Sequence, residues 1–233
     1  MNIFYATGIE GDLLLLDEQE SQHCIKVLRS REGDKVWAVD GEGGFFDATI
    51  YDGNSKNCKL QIRKKHEGYH PLPYELHIGI APTKSMDRFE WFLEKATEIG
   101  ISSITPLICE RSERKVLRLD RIEKVVVSAM KQSMKAFKPV IHPPVLFKDW
   151  LSTSRAQAHL IAHCIDGEKQ DLWKMNLPDS VSVSIGPEGD FSENEIEMAL
   201  RRGYEEISLG DYRLRTETAG IVACSAVYFN KNQ

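Results

Sequence analysis

The chain has 233 residues, a length that suits one large domain or two small ones. Its composition, 42% hydrophobic and 28% charged, is close to that of an average globular protein and excludes a disordered, collagenous or coiled-coil chain. The formal net charge of −5 excludes a generally basic, nucleic-acid-binding surface, although it leaves room for a local basic patch.

Neither a membrane segment nor a metal site is expected. The longest apolar runs, such as residues 13–16, are far shorter than the about 20 residues that cross a bilayer, and the N-terminus lacks the pattern of a signal peptide. Five widely spaced cysteines without a C-x-x-C pair favour reduced thiols in the cytoplasm over disulfides or a zinc site. His159 and His163 lack the glutamate of an H-E-x-x-H motif, so we interpret them as structural.

The first part of the chain is predicted to be a small β-barrel, because it contains many short strands and turns. The strands are expected at 2–6, 13–16, 35–40, 44–51 and 58–65. The glycine-rich segment 40–44 predicts a hairpin loop. One short helix is expected to begin at Asp17, with Glu20 three residues on and Ile25, Val27 and Leu28 as its apolar residues.

Residues 66–75 are predicted to be a linker, because Pro71 and Pro73 disfavour a helix or a central strand. Strands and helices then alternate, which predicts an α/β layer with a largely parallel sheet. Strands are expected at 74–81, 101–109, 158–165, 181–186 and 206–210, and helices at 85–99, 118–136, 192–202 and 216–230. The last helix is apolar on nearly every side, which indicates burial in the core or against a partner subunit.

Two loops in this region carry the chemistry. Residues 186–191, and residues 211–219 after Gly210, form strand-to-helix junctions that carry glycine and charge. Ligands bind at the carboxyl ends of parallel strands. Neither loop matches G-x-G-x-x-G or a P-loop, so neither a dinucleotide nor a triphosphate is indicated. Taken alone, both loops are better interpreted as ordinary strand-to-helix turns.

Together, however, IGPEGDFSENEI and the later LGDYRLRTETA resemble the paired C-terminal motif of the RsmE family, the bacterial 16S ribosomal RNA uridine-N3 methyltransferases of the SPOUT superfamily. HCIKVLRSREGD, the segment from PTKSMDRF to ICERSERK, and AMKQSMKAFKPVIHPP resemble further family segments in the same order, so the resemblance covers nearly the whole chain. The chain departs from the pattern at Asp190, where the family usually has glycine. It departs again at Lys131–Lys135, where Lys-Gln-Ser-Met-Lys replaces Glu-Gln-Ser-x-Arg and loses a bidentate arginine.

The resemblance implies an α/β fold class with two domains: a PUA-like β-barrel that binds RNA at residues 1–70, and a SPOUT α/β trefoil-knot methyltransferase domain at residues 74–233. General folding rules would not predict the knot, because threaded chains are nearly absent from proteins. The resemblance also implies a homodimer that uses S-adenosylmethionine to methylate N3 of a uridine in the 16S ribosomal RNA of the small subunit, and the reduced thiols indicate the cytoplasm.

The same resemblance assigns site residues. The cofactor pocket is expected at Ile185, Gly186, Pro187, Glu188, Gly189, Leu209, Gly210, Leu214, Arg215, Thr216, Thr218 and Ala219. Arg215, Glu217 and Glu188 are the expected catalytic residues, since an arginine can stabilise the uracil anion and a carboxylate can orient groups or take a proton. A loop ion pair between Glu217 and Arg215 is the alternative.

Positive charge for RNA is concentrated in residues 110–138, which contain nine Lys or Arg against four Asp or Glu. The expected RNA contacts are Lys26, Arg29, Arg111, Arg114, Lys131, Gln132 and Lys135. A solvated helix face is the alternative interpretation of this charge.

Two other functions remain open at the level of sequence. The chain could be a non-catalytic RNA-binding or ribosome assembly factor that retains the fold, or a SPOUT enzyme that methylates the ribose 2′-hydroxyl. Binding of S-adenosylmethionine tests the first of these functions, and mass spectrometry of modified nucleosides tests the second.

Overall fold

The computed structural model describes residues 2–232, and the chain forms two compact units. The first unit contains the chain up to Pro71 together with Val127–Lys138, and the second contains Leu72–Val126 and the chain from Pro139 onward. The chain first leaves the barrel unit between Pro71 and Leu72, inside the segment predicted to be a linker.

Five strands close into a barrel in the order β1-β2-β5-β4-β3, with β1 and β3 parallel and the other pairs antiparallel. The strands are β1 Ile3–Glu10, β2 Leu13–Leu16, β3 Lys35–Val39, β4 Phe45–Asp52 and β5 Lys59–His66. Side chains of a strand alternate between faces, and the inward set, which includes Phe4, Leu14, Phe46 and Leu60, is fully buried. The predicted small barrel is confirmed.

The short helix of the barrel unit begins as predicted but does not continue as a regular helix. Asp17 caps α1, Glu18–Gln22, by accepting a hydrogen bond from the Glu20 N–H at 2.7 Å. The chain then widens into a π-helical turn at His23–Val27. Because this turn changes the angular spacing of side chains, Val27 is 65% exposed and Leu28 is 37% exposed. Their expected role as apolar packing residues is therefore wrong.

The predicted hairpin loop joins β3 to β4. The Asp40 carboxylate accepts hydrogen bonds from the N–H groups of Glu42 and Gly44, each at 2.8 Å. Gly43 has a φ of +99°, and a Cβ at this position would overlap the ring of Phe137. Phe137 belongs to the distant segment of the same unit, and the Gly43 N–H donates to the Ala136 carbonyl at 2.9 Å. Glycine is therefore needed both for the turn and for this close approach.

The second unit is built on one parallel sheet with the strand order β11-β13-β10-β12-β6-β7-β8, and β9 also pairs with β7. The strands are β6 Glu75–Ile80, β7 Ser103–Ile108, β8 Val140–Ile141, β9 Val145–Leu146, β10 Ala158–Ala162, β11 Gln170–Asp171, β12 Ser180–Ile185 and β13 Glu205–Ser208. The helices are α2 Met86–Ile99, α4 Phe147–Thr153, α5 Glu193–Arg201 and α6 Thr216–Lys231. Helix α3, Leu119–Gln132, begins in this unit, and its residues from Val127 onward belong to the first unit. The predicted α/β class with a parallel sheet is confirmed.

Helices α2 and α6 pack against each other and supply much of the core. Phe89, Phe92 and Leu93 of α2 are fully buried. Gly220 of α6 lies against the ring of Phe92, where a Cβ would overlap the ring, so this glycine allows the two helices to approach closely. The prediction that the last helix is largely buried is confirmed by its own residues Ala223 and Val227, both with no exposed surface.

Two predicted elements are too long. The helix expected at 118–136 ends at Gln132, because Met134 adopts a φ of +57° and the N–H of Lys135 closes onto the carbonyl of Met130. Glycine is the usual residue at such a helix end, so a methionine at this position did not indicate in the sequence that the helix stops here. The strand expected at 158–165 ends at Ala162, and the residues after it form a loop. Helix α4 was not predicted at all.

Candidate active site

Three loops enclose a cavity at the carboxyl edge of the sheet. They follow β10, β12 and β13, which are parallel neighbours, so the loops leave the sheet on the same side. The cavity has a volume of about 510 Å³, within the range of about 300–1,000 Å³ that is usual for small-molecule sites. The fold therefore places a ligand site where the two glycine-containing loops were identified.

The loop after β12 is held by hydrogen bonds to distant parts of its unit. Gly186 has no room for a side chain, because a Cβ would lie 3.0 Å from the backbone nitrogen of Phe191. The Glu188 carboxylate accepts a hydrogen bond from the Lys84 N–H at 2.9 Å. Ser192 and Glu195 exchange hydrogen bonds as a capping box at the start of α5. These contacts stabilise the conformation of the loop.

The loop after β13 leads directly into α6. Gly210 has a φ of +128°, a conformation that other residues rarely adopt, and a Cβ there would meet no atom within 4 Å. The Thr216 hydroxyl donates to the Gly186 carbonyl at 3.1 Å. This hydrogen bond ties the loop after β13 to the loop after β12, so both sides of the cavity are joined.

The third loop follows β10, and the sequence analysis missed it because the predicted strand continued to residue 165. Residues 162–167 and Lys169 line the cavity. The Asp190 carboxylate accepts a hydrogen bond from the Cys164 N–H at 2.7 Å and so connects this loop to the loop after β12. Asp190 itself has a φ of +65°. A left-handed backbone explains why glycine suits this position in the family pattern.

Most residues predicted to bind the cofactor line this cavity. The residues it brings together are Ile185, Gly186, Pro187, Glu188, Leu209, Gly210, Leu214, Arg215, Thr216 and Ala219. Gly189 and Thr218 are not among the lining residues, and Gly189 faces the side chain of Arg111. The lining also contains carboxylates and cations that the sequence analysis did not assign, among them Asp166, Lys169 and Arg213.

The three residues predicted to be catalytic occupy different surroundings. Glu188 and Arg215 line the cavity, and Arg215 is exposed. Glu217 is buried, with 8% of its side chain exposed, and its closest basic group is the Arg88 Nε at 3.9 Å. Its Oε2 atom has no hydrogen-bond partner among the described residues. Glu217 thus faces α2 rather than the cavity.

Two arginines predicted to bind RNA donate hydrogen bonds to backbone carbonyls. Arg111 donates to the carbonyl of Gly189 at 2.9 Å and to that of Phe191 at 3.3 Å. Arg114 donates to the carbonyls of Thr83 and Lys84. Arg111 therefore stabilises the loop after β12, and Arg114 stabilises the loop after β6. The local excess of positive charge did not indicate these roles.

The other residues predicted to bind RNA lie in the barrel unit. Lys131 forms an ion pair with Glu20, and only 18% of its side chain is exposed. Glu20 also accepts a hydrogen bond from the Tyr5 N–H at 3.0 Å, so this carboxylate joins α3 to β1. Lys26, Arg29 and Gln132 are exposed, whereas Lys135 is half-buried.

The two histidines of β10 and its loop have different partners. His159 Nδ1 lies 2.8 Å from the Ser182 hydroxyl, and its ring stacks on Tyr204. His163 Nε2 lies 2.8 Å from a carboxylate oxygen of Glu206. Within residues 2–232, no group of three or more His, Cys, Asp or Glu residues is arranged to hold a metal ion. The same residues contain no helix that is long and apolar enough to cross a membrane.

Two family profiles match the chain. The profile of the RNA methyltransferase domain matches residues 70–228, and that of the RNA methyltransferase PUA domain matches residues 16–63. With the barrel, the parallel sheet and the cavity at its carboxyl edge, these matches define an RNA methyltransferase.

Comparison with individual relatives identifies the family within the class of RNA methyltransferases. Ribosomal RNA small subunit methyltransferase E of Mesomycoplasma hyopneumoniae is 32% identical over 94% of this chain and 95% of its own length. A "probable rRNA-methyltransferase" from Porphyromonas gingivalis has a TM-score of 0.90 and 38% identity, over 99% of this chain and 98% of that chain. A ribosomal RNA small subunit methyltransferase E from Neisseria gonorrhoeae, solved bound to S-adenosyl methionine, has a TM-score of 0.86 and 25% identity, over 97% of this chain and 96% of that chain.

The chain belongs to the ribosomal RNA small subunit methyltransferase E family. The family resemblance noted from the sequence is thereby confirmed. The expected fold class, a PUA-like barrel followed by a SPOUT α/β-knot domain, is confirmed as well.

Proposed function

We propose that this protein transfers a methyl group from S-adenosylmethionine to N3 of a uridine in the 16S ribosomal RNA of the small subunit. The observation that carries the proposal is the three-loop cavity, which lies at the carboxyl edge of the parallel sheet in a chain of this family. A relative with the same fold was solved with S-adenosyl methionine bound.

The residues of the cavity fit this cofactor. Ile185, Leu209 and Leu214 provide apolar walls, and Gly210 leaves open space beside the backbone. Carboxylates and cations lie together in the lining, which suits a ligand that carries an ammonium, a sulfonium and a carboxylate. The His163 Nδ1 atom is buried and has no hydrogen-bond partner within residues 2–232, as expected where a protein atom awaits a ligand donor.

Bound S-adenosylmethionine supplies the electrophilic methyl group, and the protein must then activate and hold the uracil. We assign Arg215 to the negative charge that develops on the uracil oxygens, because it lines the cavity and is exposed to an incoming base. Glu188 orients the loop through Lys84. Glu217, which lies against α2, positions the start of α6 and so the adjacent Arg215.

For RNA, we propose that the barrel at residues 1–70 binds the substrate and that residues 74–233 form the methyltransferase domain. Lys26 and Arg29 are exposed on the barrel unit, as phosphate contacts require. In the segment 110–138, Lys115 and Lys124 are exposed and suit phosphate binding better than Arg111 and Arg114, which hold backbone carbonyls. We further propose that the protein acts as a homodimer in the cytoplasm.

The test is mass spectrometry of nucleosides from 16S ribosomal RNA of a strain that lacks the gene. We expect one 3-methyluridine to disappear and to return with the wild-type gene but not with an Arg215→Ala variant. Loss of a 2′-O-methylated nucleoside instead would assign the ribose chemistry. An unchanged nucleoside profile, together with no binding of S-adenosylmethionine by the purified protein, would favour a non-catalytic assembly factor.

A further inference from the structure

One imidazole of the cavity has an unusual hydrogen-bonding state. His163 follows β10 and lines the cavity, yet only 1% of its side chain is exposed. Its Nε2 atom lies 2.8 Å from Glu206, whereas its Nδ1 atom is buried and has no hydrogen-bond partner among the described residues. A buried polar atom without a partner is costly, so it calls for an explanation.

Glu206 determines which nitrogen carries the proton. A carboxylate can only accept a hydrogen bond, so it stabilises the tautomer with the proton on Nε2. The Nδ1 atom is then left as a bare acceptor. Burial lowers the pKa of His163, and Lys169 lowers it further, while Glu206 and Asp190 oppose the shift. The imidazole is therefore neutral near pH 7.

We propose that His163 binds the cofactor, its Nδ1 atom accepting a hydrogen bond from an N–H or O–H donor of S-adenosylmethionine, with Glu206 as the positioning residue that fixes the tautomer. The inference rests on the proposed function, since it assigns one contact within the cofactor cavity. S-adenosylmethionine offers such donors in its adenine amino group, ribose hydroxyls and ammonium. Neither the resemblance to the family nor the cavity-lining glycines pointed to this residue.

The chain offers a matched control in His159. This histidine lies four residues earlier, but its Nδ1 atom already contacts the Ser182 hydroxyl at 2.8 Å, and it is not among the cavity-lining residues. His159→Phe removes a half-buried imidazole from the neighbouring structure without removing a contact to the cofactor. Any loss shared by the two positions is therefore a general effect on packing.

Substitutions at His163 distinguish the roles of its two ring nitrogens. The amide oxygen of asparagine is bonded to Cγ, as Nδ1 is in histidine, so His163→Asn keeps a polar atom near the Nδ1 position. Glutamine reaches toward the Nε2 position, and phenylalanine supplies neither nitrogen. By calorimetry, we expect S-adenosylmethionine to bind about tenfold more weakly to His163→Phe and His163→Gln, the size of one lost hydrogen bond. The affinity of His163→Asn for S-adenosylmethionine should stay within about threefold of the wild-type value, and the affinity of His159→Phe should equal the wild-type value.

Two further readouts report on the tautomer itself. In ¹⁵N-labelled protein, the Nδ1 resonance of His163 should show an unprotonated nitrogen and should shift when S-adenosylmethionine is added. Glu206→Gln, which allows either tautomer, should weaken binding. Affinity should fall as the pH drops through the pKa of His163, because a protonated Nδ1 donates rather than accepts. The charged groups Glu206, Lys169 and Asp190 also act on His163, so the pH profile of His163→Asn serves as the control for their contribution.

The outcomes distinguish this inference from the proposed function. If wild type binds no S-adenosylmethionine, both fail. If wild type binds it but His163→Phe binds equally well, or the Nδ1 resonance is insensitive to the cofactor, only the role of His163 is overturned. Should His163→Phe not fold, the Nδ1 resonance in wild type and the comparison of His163→Asn with His163→Gln decide the question.

Discussion

Gly210 has a backbone conformation that other residues adopt only under strain, with a φ of +128° beside open space. Gly210→Ala meets no steric obstacle, so its effect should come from the backbone alone, at a cost of about 1–3 kcal/mol. We expect a lower melting temperature and weaker binding of S-adenosylmethionine, measured by thermal unfolding and calorimetry. Gly167→Ala is the control, because this cavity-lining glycine also has open space around it but its φ lies outside the left-handed region. Equal affinities in the two variants would contradict the prediction.

Gly186 differs from Gly210, although the sequence presents the two glycines alike. A Cβ at Gly186 would press on the backbone nitrogen and ring of Phe191. A substitution there tests packing within the loop, between Gly186 and Phe191, rather than contact with a ligand. The sequence identified both glycines as important but could not separate these reasons, since only the folded chain shows what lies next to each.

Arg215 is the residue for which we expect an effect on rate without an effect on stability. It is exposed at the start of α6 and lines the cavity. Arg215→Ala should slow methyl transfer in a single-turnover assay by about 10²–10³-fold, the typical cost of one donor aimed at developing charge. Its melting temperature and affinity for S-adenosylmethionine should stay near wild type. Arg201→Ala, which removes an exposed charge from α5 paired with Glu197, is the control. Full activity of Arg215→Ala would remove the residue from the mechanism.

At the scale of elements, Arg111 connects the segment after β7 to the loop after β12 through two backbone carbonyls. Arg111→Ala should therefore weaken binding of S-adenosylmethionine by about tenfold, because hydrogen bonds from a charged group contribute about 1.5–3 kcal/mol. Lys115→Ala removes the same charge from an exposed position on the same segment and should leave this affinity unchanged.

An RNA-binding assay at several salt concentrations completes the comparison. Both variants lose one positive charge, and a phosphate contact makes affinity fall as salt rises. If Arg111 only binds phosphate, the two variants should lose RNA affinity alike and neither should affect the cofactor. That outcome would contradict the anchoring role assigned to Arg111.

Local interactions account for the elements that the sequence predicted well. Asp17 caps α1 through a residue three positions on, and Ser192 and Glu195 form their capping box at the same spacing. The loop after β10 escaped prediction because what holds it is distant: Asp190 contacts Cys164 across 26 positions. Met134 ended α3 early in a conformation that glycine normally marks. Composition and residue spacing reveal local interactions such as these caps, but they do not reveal contacts between distant positions.

At the scale of the whole molecule, residue patterns predicted two regions but not the discontinuity of the first. Val127–Lys138 belongs with the barrel although a long stretch of the second unit precedes it. Its packing depends on contacts such as Phe137 against Gly43, and neither residue reveals its partner in the sequence. The trefoil knot likewise came only from resemblance, because no local rule encodes a threaded chain.

The homodimer is a prediction at this same scale, and α6 offers the surface to test it. This helix buries Ala223 and Val227 in the core, yet Phe229, in its last turn, is 65% exposed. Large exposed apolar side chains on a helix that is apolar nearly all round are typical of an interface.

Light scattering after size-exclusion chromatography should therefore give wild type twice the 26.5 kDa of one chain. Phe229→Asp should shift the protein toward the monomer, because a carboxylate buried against a partner's apolar surface costs several kcal/mol. Tyr51→Asp, at an exposed aromatic of the barrel unit, should leave the mass unchanged. A wild-type protein that runs as a monomer at micromolar concentration would contradict the homodimer. A dimeric Phe229→Asp would place its interface elsewhere on the surface.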